Sequence, residues 1–142
     1  MVRVKNRIRL QEAVRFHGHL GPYLVLGILA GDLLLKKIKC DKYFGLDIKV
    51  YGASLKPKSC LIDGLQLSTG ATYGKGNITK FDGKQIKIEC CKQNCRGKAI
   101  LRFSKYLLKE LENVMTHRDA EALARKLYDS DISKLLNITL NP

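Results

Sequence analysis

The sequence predicts an α+β domain, with a mainly antiparallel sheet packed with helices, followed by a C-terminal helical extension. Helical patterns occupy the first forty residues, short alternating segments occupy the middle, and helical patterns return after Phe103. No repeating strand–helix–strand unit is visible, which disfavours a doubly wound parallel sheet. We therefore divide the chain into an α+β domain over residues 1–103 and a helical extension over residues 104–142.

Two helices are predicted before the first strand. Val2–Phe16 has its apolar residues loosely on one side, as in an amphipathic helix. Pro22 suits the first turn of the next helix, and Leu24–Leu35 is apolar almost all round, which predicts a buried central helix. Gly27 and Gly31 lie four residues apart on one face of it, a spacing that indicates close packing against another helix.

The middle of the chain alternates strands with one helix. The predicted strands are Leu46–Tyr51, Ile78–Phe81, Gln85–Cys90 and Ala99–Phe103. Asp82–Gly83 is typical of a hairpin turn between the second and third strands. Ser59 is a candidate cap for a short helix over Cys60–Leu67.

The last forty residues are predicted to be helical. Ser104–Met115 shows helical apolar spacing, and Thr116 with Asp119 resembles a capping box that begins a helix reaching Tyr128. The tail after Tyr128 is expected to add one more helical turn.

The composition is that of a folded but strongly basic protein. Of 142 residues, 26 are Lys or Arg and 13 are Asp or Glu, so the formal net charge is +13. Such a charge attracts anionic substrates, acidic proteins and polyanions. The lysines are spread along the chain and no zinc-finger, helix-turn-helix or aromatic RNA-binding pattern is present, so specific nucleic-acid binding is not expected.

The expected compartment is the cytoplasm, without membrane association. The longest apolar stretch, Pro22–Leu35, contains Asp32 and is shorter than the roughly 20 residues of a membrane helix. The basic N-terminus is not followed by the apolar region of a signal peptide. Five cysteines cannot all pair within one chain, which favours free thiols in a reducing compartment.

Two histidines and one cysteine are the strongest candidates for chemistry. His17 and His19 stand just before a predicted helix, where an extended backbone would let both imidazoles face one metal; the alternative is that they cap and pack. Cys60 begins a predicted helix near Lys56 and Lys58, and both features favour the thiolate.

Further polar residues follow Cys60. Asp63 and Gln66 share its helix face, which is either an exposed stripe or the wall of a site. The glycine-rich loop Gly70–Asn77 does not match the P-loop pattern, but its amides and Lys75 are able to hold an anion. A tight turn is the simpler interpretation of this loop.

The remaining histidine and cysteines give weaker indications. His117 is interpreted as a surface or cap residue. Cys90 and Cys91 would point to opposite faces of a strand, and no second cysteine pair follows Cys95, so we expect ordinary thiols and not a zinc cluster.

Two stretches taken together resemble the family of the formylmethanofuran dehydrogenase E subunit. They are FHGHLGPYLVLG at Phe16–Gly27 and CLIDGLQLSTGATYGKGNI at Cys60–Ile78, and GKAILRF at Gly97–Phe103 is similar to the family's closing strand. The resemblance implies an α+β domain, a homodimer, and a metal site, often occupied by zinc, near the paired histidines and the cysteine of the second motif.

The resemblance also implies roles for individual residues. The metal ligands are His17, His19 and Cys60, with Cys60 and Asp63 as catalytic residues. The substrate-binding residues at the matching positions are Gln66, Thr69, Lys75 and Asn77. Gly21 stands where the family usually has a cysteine, so a zinc site here would lack one thiolate.

Three functions are compatible with these observations. The first is a metal-binding enzyme or oxidoreductase subunit with a small-molecule pocket, in one-carbon or molybdenum- or tungsten-pterin metabolism. Its substrate would carry an anionic group, steered by Lys75, and Asp63 would accept a proton. The alternatives are a metal-free enzyme that uses Cys60 as nucleophile, and a non-catalytic accessory protein that binds an acidic partner or nucleic acid through its basic surface.

Overall fold

The structure, a computed structural model, describes residues 6–94 and 96–141. In chain order its elements are α1 (Leu10–His17), α2 (Pro22–Ile38), β1 (Leu46–Tyr51), α3 (Cys60–Thr69), β2 (Ile78–Phe81), β3 (Lys87–Lys92), β4 (Lys98–Phe103), α4 (Lys105–Glu112), α5 (His117–Tyr128), α6 (Ile132–Leu135) and β5 (Leu136–Asn141).

A five-stranded sheet with the order β2–β1–β3–β4–β5 organises the fold. The β1–β3, β3–β4 and β4–β5 pairs are antiparallel, whereas β1 and β2 are parallel and are joined through α3. The prediction of an α+β fold with a mainly antiparallel sheet is therefore confirmed. The β1–α3–β2 connection is a single strand–helix–strand unit, which has no second copy in the sequence to make it visible as a repeat.

Helix α2 is the centre of the molecule, as its uniform apolarity predicted. Twelve of its 17 residues are buried, because it packs against α3, α5 and α1 as well as against β3 and β4. Apolar side chains all round such a helix remove apolar surface from water on every side.

Close packing of α2 on α3 fixes the second motif against the first. A Cβ atom added to Gly27 would overlap the carbonyl oxygen of Leu61, and one added to Gly31 would overlap the Ser68 hydroxyl. Gly64 of α3 faces Gly27 in the same way, so the two backbones meet without side chains between them. This contact confirms the interpretation of the spaced glycines and places the start of α3 beside the turn that precedes α2.

Helix α1 is shorter than predicted. Positions 2–5 of the predicted helix lie outside the described residues, and the helix itself begins at Leu10. The preceding residues make tertiary contacts instead: the Arg7 guanidinium donates to the Tyr128 carbonyl at 2.7 Å, and the Tyr128 hydroxyl donates to the Ile8 carbonyl at 2.9 Å.

The predicted hairpin at Asp82–Gly83 is wrong. Strand β2 pairs with β1, and β3 lies on the other side of β1, so β2 and β3 are not neighbours. The chain crosses the end of β1 here, where the Gly52 amide donates to the Phe81 carbonyl and Gly83 approaches the Gly52 backbone. A pair of turn-forming residues marks the end of a strand, but it does not specify which strands become neighbours.

Two local predictions around α3 and the C-terminus also need correction. Ser59 is helical and its side chain does not cap α3, because the first amides of the helix donate to carbonyls of the preceding turn at Pro57 and Lys58. The C-terminal segment is not purely helical, since Leu136–Asn141 pairs with β4 as an edge strand.

The Thr116 cap is confirmed, and its hydroxyl accepts from the Asp119 amide at 3.0 Å. The division between residues 103 and 104 stays a prediction.

Within the described residues, no single helix is both long and apolar enough to cross a membrane. Helices α1 and α2 together reach the length and composition of a span, but they bend by 119° at the turn between them.

Candidate functional site

The first histidine of the paired motif is held by the aspartate of the second motif. His17 Nδ1 lies 2.6 Å from Asp63 Oδ2, and the His17 side chain is only 10% exposed. A carboxylate only accepts hydrogen bonds, so the proton is on Nδ1, and the Nδ1–H group donates a hydrogen bond to Asp63. This bond fixes the orientation of the ring.

The other ring nitrogen of His17, Nε2, has no hydrogen-bond partner in the part of the chain that the structure describes. Nε2 is buried and makes no hydrogen bond to any described residue. The ring centroid of His17 lies 4.7 Å from that of His19, with the planes tilted by 37°. In the neutral ring this Nε2 carries a lone pair, and an imidazole with its Nδ1–H on a carboxylate is the usual form of a metal-binding histidine.

His19 and Cys60 line one cavity of about 420 Å³. The turn before α2, the start of α3 and the segment joining α4 to α5 form its walls. The structure thus places His19 and Cys60, 41 residues apart in the sequence, on one cavity, whereas His17 is not among the described lining residues and is linked to the second motif through Asp63.

The Cys60 thiol is not activated by its surroundings. Burial, followed by the nearby Asp63 carboxylate, raises the pKa of Cys60, and these effects exceed the lowering by Lys56 and by a backbone hydrogen bond. The sequence-based expectation of a stabilised thiolate is therefore wrong for the protein without a bound cation. A metal ion at the sulfur would reverse this balance, because it favours the thiolate.

Gln66 extends the polar line from Asp63 toward the glycine-rich loop. Its Nε2 donates to Asp63 Oδ1 at 3.4 Å, and its Oε1 accepts from the Tyr73 amide at 2.9 Å. Both oxygens of Asp63 are thus engaged, one by His17 and one by Gln66. These contacts hold the His17 ring and the start of the glycine-rich loop, and the catalytic role of Asp63 and substrate binding by Gln66 stay predictions.

Three of the predicted substrate-binding residues use their polar atoms to shape the loop. The Thr69 hydroxyl donates to Leu65 and accepts from the Ala71 amide. Lys75 Nζ donates to the Gly70 carbonyl, at the end of α3. Asn77 accepts from the Thr72 amide and donates to the Tyr43 and Leu46 carbonyls. None of Thr69, Lys75 and Asn77 lines the 420 Å³ cavity, and their binding of substrate stays a prediction.

The proposed metal ligands lie in the same region of the molecule, but their donor atoms do not converge on one position for an ion. Within residues 6–94 and 96–141, no three His, Cys, Asp or Glu side chains are arranged to hold a metal ion as they stand. The chemistry of the donors fits zinc, which binds imidazole nitrogen and thiolate sulfur. The unpartnered Nε2 of His17 is the observation that supports this fit.

The other described cysteines lie outside this region. Cys90 is buried in β3, and burial raises the pKa of its thiol to about 12, so it is a neutral core residue. Cys91 is the next residue of the strand and is partly exposed, in agreement with their prediction as residues on opposite faces. Cys95 lies outside the described residues.

His117 is an exposed residue that lines the cavity, a position that the sequence did not indicate. It begins α5 and lines the same cavity as His19 and Cys60. Its sequence neighbourhood indicates only a helix start, because Thr116 and Asp119 account for the local pattern. The contact of α5 with α2 is long-range, and no spacing rule reports it.

The proteins similar to this chain include a curated relative and a solved structure. A probable S-adenosyl-L-methionine-binding protein from Archaeoglobus fulgidus is 27% identical over 132 residues, which cover 83% of this chain and 35% of the relative. The chain thus spans about a third of that relative's length. The crystal structure of a tungsten formylmethanofuran dehydrogenase FmdE-like protein from Syntrophus aciditrophicus superposes with a TM-score of 0.71 at 18% identity, covering 93% of this chain and 69% of that one.

A family model gives the classification. The model described as FmdE, molybdenum formylmethanofuran dehydrogenase operon, matches residues 16–139. This range includes both motifs, the whole sheet except its last residues, and the C-terminal helices. Because the match covers most of the sequence, the chain belongs to the FmdE family.

Proposed function

We propose that this chain binds a divalent transition metal, zinc in the first place, through His17, His19 and Cys60, beside a small-molecule pocket. Two imidazoles and one thiolate leave a position for water or substrate, as in catalytic zinc sites. When bound, such an ion supplies Lewis acidity. We further propose that the chain acts on a one-carbon substrate or in molybdenum- or tungsten-pterin metabolism, and this part of the proposal rests on the family alone.

The buried Nε2 of His17 is the observation that carries this proposal. A buried polar atom without a hydrogen-bond partner is costly, and a metal bond would satisfy it. The hydrogen bond from Nδ1 to Asp63 fixes the ring for that purpose, and the His19 ring lies beside it. Metal binding requires the His19 and Cys60 side chains to rotate toward Nε2 of the fixed His17 ring.

The metal-free alternative receives less support. A nucleophilic cysteine needs a lowered pKa or an adjacent base, whereas burial and Asp63 raise the pKa of Cys60. The Asp63 contact uses His17 Nδ1, and the Nε2 atom that would act as the base makes no hydrogen bond to Cys60 or to any other described residue. A cation at the sulfur is the simpler way to make the thiolate.

Zinc content measures the proposal directly. Protein treated with a chelator is dialysed against a slight excess of zinc, freed of unbound ions, and analysed by mass spectrometry of the metal. We expect about one zinc per wild-type chain and a clear loss in His19→Ala and Cys60→Ser. Cys91→Ser, which removes a partly exposed thiol from β3, is the matched control and should keep the metal. Equal zinc in wild type, His19→Ala and Cys60→Ser would refute the metal site.

The cellular setting is part of the same proposal. Among the described residues, Cys60, Cys90 and Cys91 have free thiols, which suits a reducing compartment such as the cytoplasm. A homodimer, a small anionic substrate and an acidic protein partner remain predictions. Light scattering at several protein concentrations measures the first of these.

A further inference from the structure

We infer that the 420 Å³ cavity beside His19 and Cys60 binds a small organic anion with an apolar body, and that His117 contacts the anionic group. This inference deepens the proposed function, because the cavity is the one next to the proposed metal ligands. It does not require the metal, since it depends on the size, polarity and charge of the cavity walls.

The cavity has the size and apolar lining of a small-molecule site. A volume of about 420 Å³ lies within the range of ligand pockets, roughly 300 to 1,000 Å³. Most of its lining is apolar, and one wall belongs to the segment that joins α4 to α5. The apolar lining residues are Leu20, Pro22, Pro57, Leu111, Val114, Met115 and Ala120.

The polar lining favours an anion. The ionisable groups on the walls are those of His19, His117, Tyr23 and Cys60, and no Asp or Glu is among the described lining residues. Imidazole and phenol groups donate hydrogen bonds to a carboxylate, sulfonate or phosphate. The Asp63 carboxylate, which lies near Cys60, is already engaged by His17 and by Gln66.

Three helices begin at the cavity. Its lining includes Pro22 at the start of α2, Cys60 at the start of α3 and His117 at the start of α5. The start of a helix carries a partial positive charge, so the three dipoles act in the same direction as the imidazole donors. With a net charge of +13, the chain as a whole also attracts anions.

The wall that carries His117 is well supported. The Thr116 hydroxyl accepts from the Asp119 amide at 3.0 Å, and the Asp119 carboxylate accepts from the Met115 amide at 3.3 Å. These bonds fix the turn before α5. The C-terminal segment is therefore a built part of the cavity.

Two fluorescent probes with the same apolar body test the inference. Anilinonaphthalene sulfonate carries an anionic group, and N-phenylnaphthylamine lacks it. Both are titrated into the full chain, with and without zinc, at moderate salt. We expect the sulfonate probe to bind at least about tenfold more tightly than the neutral probe, because only the former uses the polar end of the cavity.

Matched variants assign the binding to this cavity. Ala120→Glu and Ala120→Gln place side chains of nearly equal size on the wall and differ in charge. We expect Ala120→Glu to bind the sulfonate probe at least about tenfold more weakly than Ala120→Gln, with equal affinities for the neutral probe. His117→Gln should lower the affinity for the sulfonate probe several-fold. Arg118→Gln removes a charge from the next residue, which does not line the cavity, and should leave that affinity unchanged.

The results separate this inference from the proposed function. Failure of the wild type to bind either probe, or equal sulfonate affinities in the two Ala120 variants, would overturn the anion site. If neither His19→Ala nor Cys60→Ser lost zinc, the metal site would be overturned and the anion site would stand. Normal zinc content in His117→Gln together with weakened sulfonate binding supports His117 as a ligand contact and not a metal ligand. Circular dichroism and the thermal midpoint verify that each variant is folded.

Discussion

At the scale of single residues, the sequence indicated candidate site residues but not the contacts among them. Sequence spacing placed His17 with His19, and Asp63 with Cys60, because each pair is local. The bond between His17 and Asp63 joins positions 46 residues apart, and no periodicity reports a contact of that kind. The interpretation of His117 as a surface residue is confirmed, because it is exposed, but the same limit kept the sequence from indicating that it lines the cavity.

Gly21 gives a prediction at this scale. It lines the cavity, and a Cβ atom built on it would lie 3.5 Å from His19 Nε2, an ordinary van der Waals distance. Its φ of −143° is open to any residue. We therefore expect Gly21→Cys to fold normally and to raise zinc affinity at least about tenfold by adding a thiolate.

Competition with a chromophoric zinc chelator measures this affinity. Gly21→Ser is the control, because a hydroxyl of similar size is a poor zinc ligand and should leave the affinity within about twofold of wild type. Equal affinities in Gly21→Cys and Gly21→Ser would show that position 21 does not face the metal.

At the scale of elements, alternation and helical periodicity predicted where helices and strands lie in the sequence better than which strands pair in the sheet. The bounds of β1 and β2 were predicted as observed, and α5 was predicted to end at Tyr128, where it does end. The order of strands was not accessible, because Asp82–Gly83 marks the end of a strand without specifying its neighbours. Strand β5 was missed because its short sequence acquires strand structure only by pairing with β4.

The packing of α2 on α3 gives the second prediction. A methyl group at Gly27 would overlap backbone atoms of Leu61, Gly64 and Leu65, so the helices would have to separate. We expect Gly27→Ala to lower the free energy of unfolding by at least about 2 kcal/mol, despite the better helix propensity of alanine. Displacement of α3 should also weaken zinc binding, since Cys60 begins that helix. Urea unfolding measures the first effect and zinc content the second.

Gly74→Ala is the control for this prediction. A Cβ atom at Gly74 meets no heavy atom within 4 Å, so alanine there should change the free energy of unfolding by less than about 0.5 kcal/mol. A Gly27→Ala protein as stable as wild type would mean that the helices are not in backbone contact.

At the scale of the whole molecule, a buried ion pair links the N-terminal segment, the central helix and α5. Arg7 Nε lies 3.7 Å from Asp32 Oδ2, and the Asp32 side chain is 3% exposed. The Arg7 guanidinium also donates to the Tyr128 carbonyl and lies over the Tyr128 ring, 5.1 Å from its centroid. The two facing atoms, Arg7 Nε and Asp32 Oδ2, have no hydrogen-bond partner among the described residues.

Arg7 offsets only part of the cost of burying the Asp32 charge, and this determines how Asp32 makes stability depend on pH. Burial raises the pKa of Asp32 from 3.8 to about 6, although Arg7 and Lys42 act to lower it. The folded state therefore binds the proton more tightly than the unfolded state does. The contribution of Asp32 to stability is fully present below pH 3.8 and is lost as the pH rises through about 6.

We expect Asp32→Asn to remove this dependence. In wild type, Asp32 should lower the free energy of unfolding by on the order of 2 kcal/mol as the pH rises from 4 to 7, against the trends of other groups. The variant should therefore gain stability relative to wild type over that interval, which urea unfolding at a series of pH values measures. Asp129→Asn, at an exposed position just after α5, should track wild type at every pH. A stability difference between Asp32→Asn and wild type that stays constant from pH 4 to 7 would mean that Asp32 is ionised in the folded protein throughout, and that Arg7 compensates its burial.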